Sequence, residues 1–133
     1  MPASNSILAT ALLNLGMLLD KKEWIELSDK MLGKLKHLVL EDPQWLTNWA
    51  CLLTNHVKTT AEIAIIGENC QQIRAALDKH LLFSHIFAGT KSTSDLPLLK
   101  NRQTSEGETM IYVCYDKTCQ LPTKDIEKAL TLL

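Results

Sequence analysis

A chain of 133 residues, 46% hydrophobic and 22% charged, has the size and composition of an ordinary globular domain that buries roughly 65–70% of its unfolded surface. A formal net charge of −1 excludes the basic footprint on which nucleic-acid binding rests. No run approaches the ~18–20 apolar residues that span a bilayer, and four irregularly spaced cysteines argue against a disulfide-dense secreted scaffold.

The chain opens on Met1-Pro2-Ala3-Ser4-Asn5-Ser6 and passes at once into a very apolar segment, which reads as a cut inside a longer protein. No basic residues precede that segment, so no signal peptide is expected, and a reducing cytoplasm is the expected location. Leu8, Leu12, Leu15 and Leu19 recur at helical spacing, with Ile7, Ala11 and Leu18 widening the apolar face. Ser4 or Ser6 can cap this helix, and Asp20-Lys21-Lys22 makes the turn. A second helix follows, with Trp24, Leu27, Met31, Leu35 and Leu38 on one face and Glu26, Asp29, Lys30, Lys34 and Lys36 opposite. Pro43 ends it, because proline disfavours helical geometry in the residue before it. A third helix takes Pro43 in its first turn and aligns Trp45, Trp49, Leu52, Leu53 and His56. Short connections imply antiparallel neighbours.

From residue 62 the pattern changes. Glu62-Ile63-Ala64-Ile65-Ile66-Gly67 is a β-branched run ended by glycine, the mark of a buried strand. Residues 69–82 read as a helix and 84–89 as a second strand, a βαβ unit that should place two parallel strands side by side. Residues 95–101 suit a helical turn, 102–108 a loop and 110–115 a third strand, with 118–121 able to pair back onto it. Thr123 can cap a final helix over 124–133, with Asp125 in its positive first turn. The expected fold is therefore mixed α+β. Residues 1–60 form an antiparallel helical hairpin plus a third helix, and 61–133 a small α/β subdomain with a βαβ crossover, a C-terminal β-hairpin and a helix.

Few residues suggest chemistry. Cys114 and Cys119 stand five positions apart around Asp116-Lys117, too far for a Cys-x-x-Cys redox pair, and no second pair completes a zinc site. In a hairpin turning at Asp116-Lys117, residue 114 faces 119 at a separation a disulfide can bridge. Two reduced buried thiols, a disulfide and metal ligation all remain open. Gly67-Glu68-Asn69 sits where βα units bind phosphate, yet it has one glycine and an acidic neighbour, and reads as an ordinary turn. His37, His56, His80 and His85 lack the spacing of a helical metal site. Trp24, Trp45 and Trp49 read as helix–helix core. Ser4, Asn5 and Ser6 are a helix cap or, in a helical-hairpin array, the lining of a cavity.

Two motifs carry a family resemblance. Pro2-Ala3-Ser4-Asn5-Ser6, followed by Leu12-Leu13-Asn14-Leu15-Gly16, resembles the Pro-Ser-x-Asn-Ser…Leu-Leu-x-Leu segment of the thioredoxin-domain-containing proteins, called spermatogenesis-associated protein twenty in animals. Tyr112-Val113-Cys114 with Cys119-Gln120-Leu121-Pro122 is similar to that family's C-terminus. The resemblance implies the tail of a longer protein. Its missing part would hold a thioredoxin-like domain and most of an α/α toroid similar to sugar epimerases and six-hairpin glycosidases. Ala3 stands where serine is common in the family, which weakens the case for a catalytic hydroxyl there. The implied role is noncatalytic, closing the toroid or docking the thioredoxin-like domain, with no cofactor or metal. Two other readings follow from it. Ser4, Asn5 and Ser6 could line part of a carbohydrate-active site of the intact protein, or Cys114 and Cys119 could exchange with its thioredoxin-like domain. The implied partner is the rest of the same protein; neither nucleic acid nor a membrane is expected. A cut toroid would also leave an apolar surface on the 7–19 helix that favours self-association.

Overall fold

The computed structural model describes residues 4–133; Pro2 and Ala3 of the N-terminal motif lie outside the described residues. The fold is mixed α+β, in two compact units, Met1–Lys58 and Thr59–Leu133. Among the described residues no helix is long and apolar enough to cross a membrane.

The first unit holds α1 (Ser4–Leu19), α2 (Lys22–Gly33), α3 (Lys36–Glu41) and α4 (Thr47–Val57). Apolar residues surround α1, so size decides which side packs. Its buried side is Ser6, Ala9, Leu13 and Gly16, and the small Ala9 and Gly16 let α2 approach closely. Ser28 on α2 donates its hydroxyl to the Ala9 carbonyl at 2.8 Å, and a Cβ on Gly16 would lie 2.7 Å from Ile25 Cγ1. The larger Ile7, Leu8, Leu15 and Leu19 are left exposed, Ile7 and Leu8 by about half of their surface. Asp20, in the left-handed region at φ 54°, ends α1, and the Lys21 N–H reaches back to the Gly16 carbonyl at 2.8 Å, the bond of a Schellman cap.

Two helical expectations need correcting here. The second helix does not run to Asp42: it stops at Gly33, and α3 begins at Lys36 after the Leu35 N–H turns back to the Leu32 carbonyl. The inward residues are Ser28, Leu32 and Val39, offset from the expected face, because the serine bonded to Ala9 sets the helix rotation. Leu27 and Leu38 are consequently exposed. Nor does the third helix start at Pro43; residues 43–46 make a turn, α4 begins at Thr47, and Trp45 is 81% exposed. Trp49 and Leu52 are core residues as read, and His56 Nδ1 lies 3.1 Å from Asp29 Oδ1.

The second unit contains β1 (Ala61–Gly67), α5 (Cys70–Leu77), β2 (His85–Thr90), β3 (Thr109–Tyr115), β4 (Thr118–Cys119) and α6 (Ile126–Thr131). The sheet order is β2-β1-β3-β4. β1 pairs parallel with β2, as a βαβ crossover requires, and antiparallel with β3. Every residue of β1 is buried, as expected of a central strand covered on both faces. Ile63, Ile65, Ile111 and Val113 face α5 and α6 through Leu77 and Ala129. Residues alternate across a strand, so Glu62, Ala64 and Ile66 line the other face. α5 is shorter than expected, leaving His80 and Leu81 outside the helix. The cap of α6 is Asp125 rather than Thr123: its carboxylate accepts from the Glu127 and Lys128 N–H groups, and Thr123 instead accepts from the Asp125 N–H at 3.0 Å.

Candidate functional site

β3 and β4 form a two-residue hairpin. Asp116 and Lys117 both have positive φ, 47° and 65°, the conformation of a type I′ turn, which matches the right-handed twist of the flanking strands. That turn sets the register Tyr115↔Thr118 and Cys114↔Cys119, and the two cysteines are joined in a disulfide. Cys51 is a free exposed cysteine and Cys70 a free buried one. The two bridged sulfurs differ in access. Cys114 is fully buried on the inner strand β3, whereas Cys119 is exposed on the edge strand β4.

Two residues with no cysteine-like signature complete the site. Arg102 leaves the loop after Asn101, itself at φ 61°. Its Nε donates to the Leu98 carbonyl at 2.6 Å, and its guanidinium lies over the Tyr112 ring, 5.0 Å from the centroid. Held this way, Nη1 donates to Cys114 Sγ at 3.2 Å and to Cys119 Sγ at 2.9 Å. The Tyr112 hydroxyl donates to the Gln103 carbonyl at 2.7 Å, tying the loop to the strand from the other side. Burial lowers the Arg102 pKa, while the neighbouring Tyr112 and Glu62 raise it.

Glu62 is the second. Register places it directly opposite Cys114 on β1, so Glu62, Cys114 and Cys119 form one row across three strands and share a face. Glu62 is buried, and desolvation pushes its carboxyl above the ordinary carboxylate range. The Lys117 N–H, the Lys117 charge and Arg102 pull it down, and Asp116 pushes it up. A buried acid, a cation and a disulfide thus lie together. That set can stabilise a thiolate and hold a proton beside it.

The other sequence-derived candidates are not brought to this site. Ser4 and Asn5 are exposed at the start of α1. Ser6 is buried and borders a shallow groove with Thr10, Asn14, Asn48 and Cys51. Among the described residues no carboxylate lines that groove. At the βα turn, Gly67 has φ +133°, and an added Cβ would sit 2.6 Å from Thr109 Oγ1. That same hydroxyl accepts the Asn69 N–H at 3.1 Å, and Glu68 lies 3.6 Å from Lys91. The turn therefore spends a donor and a cation internally and offers little to a phosphate. No group of three or more metal-ligating side chains occurs among the described residues.

Glu62 could have been noticed as the single charge in an apolar strand. Arg102, in a polar loop, carried no signal. Comparison with family models, curated proteins and solved structures finds no match for this chain.

Proposed function

We propose that the second unit is a thiol–disulfide exchange module whose working group is the Cys114–Cys119 pair. The observation that carries this reading is Arg102 Nη1 donating to both sulfurs, because a cation held there stabilises whichever sulfur leaves as thiolate. Access supports a direction. An incoming thiolate reaches exposed Cys119, a new S–S bond forms there, and the electron pair of the broken bond passes to Cys114. A second thiol of the donor then attacks the mixed disulfide and releases Cys119. Two electrons and two protons move from a dithiol to the pair, and the donor becomes a disulfide. In a reducing compartment such as the cytoplasm, the pair would cycle rather than stay closed.

The test is dithiothreitol treatment of the folded protein, followed by acid quench and a thiol count in denaturant, where buried Cys70 and Cys114 also react. Two free thiols before dithiothreitol and four after it, with an unchanged circular dichroism spectrum, are expected from two free and two bridged cysteines. A pair that opens only in denaturant would mark it as a structural staple and end this reading.

A second reading concerns the first unit, favoured by the exposed Ile7, Leu8, Leu15 and Leu19. We propose that this face docks against other helices, either a second copy or the remainder of a longer protein. The family resemblance supplies the latter as an α/α toroid with a thioredoxin-like domain. Such a domain would also be a natural dithiol for Cys119.

A further inference from the structure

The geometry points to the class of donor that the exchange site takes: an extended, cysteine-bearing segment of a protein, which pairs as an added antiparallel strand along the outer edge of β4. This rests on the exchange reading above and specifies its substrate. In an antiparallel ladder, hydrogen-bonded and non-hydrogen-bonded pairs alternate. The Gln120 N–H donates to the Val113 carbonyl at 2.9 Å, so 113/120 is a hydrogen-bonded pair and Cys114↔Cys119 is not. The Cys119 N–H and C=O therefore point away from β3. β4 is the last strand in the order β2-β1-β3-β4, and Cys119 is exposed, so both groups face out over an open edge.

A strand added there makes a hydrogen-bonded pair with Cys119, and its opposed residue sits with Cα about 5.5 Å away, on the same face. That separation lies within the span of a disulfide. Direction matters as much as distance. Cys114 lies on the inner strand and Cys119 on the edge strand, so the added residue stands on the side of Cys119 away from Cys114. A cysteine in that position approaches the Cys119 sulfur from the side opposite the departing Cys114 sulfur, the line along which displacement at a disulfide proceeds. Arg102 Nη1 is already on the leaving sulfur, at 3.2 Å. Leu121, 88% exposed two residues on, gives the segment an apolar contact beside the edge.

The pairing is brief. β4 is two residues long, and Pro122 interrupts the edge soon after it. Two main-chain hydrogen bonds fit a partner that must leave after exchange. A small thiol can react at Cys119 but gains nothing from the edge.

Two peptides test this on the oxidised full chain: acetyl-Thr-Val-Cys-Val-Thr-amide, and the same peptide with N-methylcysteine, whose methyl replaces the N–H that would bond to Cys119 and holds the two backbones apart. Rates are normalised to each peptide's reaction with a small aromatic disulfide. The unmethylated peptide is expected to form its mixed disulfide about tenfold faster, the yield of two net backbone hydrogen bonds. Mass spectrometry should place it on Cys119. Equal normalised rates with dithiothreitol still opening the pair would overturn the strand pairing alone, as would a mixed disulfide on Cys114. If dithiothreitol also fails to open the folded pair, the exchange reading falls with it.

Discussion

Replacing Arg102 with glutamine removes the cation that touches both sulfurs while keeping a side chain of similar reach. A unit charge about 3.2 Å from a thiolate, the separation seen at Cys114, is worth about 5 kcal/mol at the effective dielectric of ~20 suited to near-surface pairs. The guanidinium is only partly buried and its charge is delocalised, so water and salt leave about 1.5–2 kcal/mol. That is roughly a ten- to thirtyfold fall in thiolate population near neutral pH. The assay is iodoacetamide alkylation of the reduced protein between about pH 5 and 9, the reagent reporting thiolate rather than thiol. Trypsin cleaves after Lys117 and so separates Cys114 from Cys119, allowing each sulfur to be followed by mass. The R102Q profile should move up by about one pH unit, with R102K retaining most of the wild-type behaviour. Superimposed R102Q and wild-type profiles, with unchanged circular dichroism, would refute the assignment of Arg102.

Three further outcomes follow from the packing and the buried acid. Desolvation raises the Glu62 carboxyl in the folded chain, opposed by Lys117 and Arg102 and assisted by Asp116. Its contribution to stability is therefore present below the unfolded value and lost as pH rises through the folded one. Glu62→Gln should gain on the wild type as pH rises from about 4; a gap that stays constant in denaturant titrations across that range would count against the buried acid. Gly16→Ala gains about 1 kcal/mol of helix propensity but sets a Cβ 2.7 Å from Ile25 Cγ1 and 3.1 Å from backbone atoms. The overpacking cost of about 1–3 kcal/mol should win, leaving a net loss of about 1 kcal/mol by thermal melting. Gly33→Ala, with nothing within 4 Å, should lose nothing; equal effects at both glycines would refute the close α1–α2 contact. Leu8→Lys with Leu15→Lys should abolish concentration-dependent association seen by light scattering, and a wild type that stays monomeric at about 1 mM would remove the docking face as a self-contact.

The sheet was legible because its signals are local. A β-branched run ended by Gly67, a second strand 18 residues on and the Asp116-Lys117 turn were enough to set a parallel pair and a hairpin with Cys114 opposite Cys119. The helices were legible as elements but not in rotation. Periodicity ranks residues by hydrophobicity, and α1 is apolar on several sides, so steric fit buried Ala9, Leu13 and Gly16 and left Leu8 and Leu15 exposed. On α2 a buried serine bonded to Ala9 turned the helix away from its most apolar face. The site divides the same way. The cysteines announced themselves by spacing, whereas Arg102 reaches them from a loop whose path depends on Tyr112, Gln103 and Leu98, and Glu62 acquires meaning only from strand register.

The most direct test of exchange is the equilibrium potential of the Cys114–Cys119 pair in the folded chain, read by thiol trapping in graded dithiothreitol and glutathione buffers. A pair that cycles should titrate reversibly as a two-electron couple between about −180 and −300 mV, where cellular dithiols operate. A midpoint well below about −300 mV, or opening that requires denaturant, would contradict the account and leave the hairpin disulfide a structural staple.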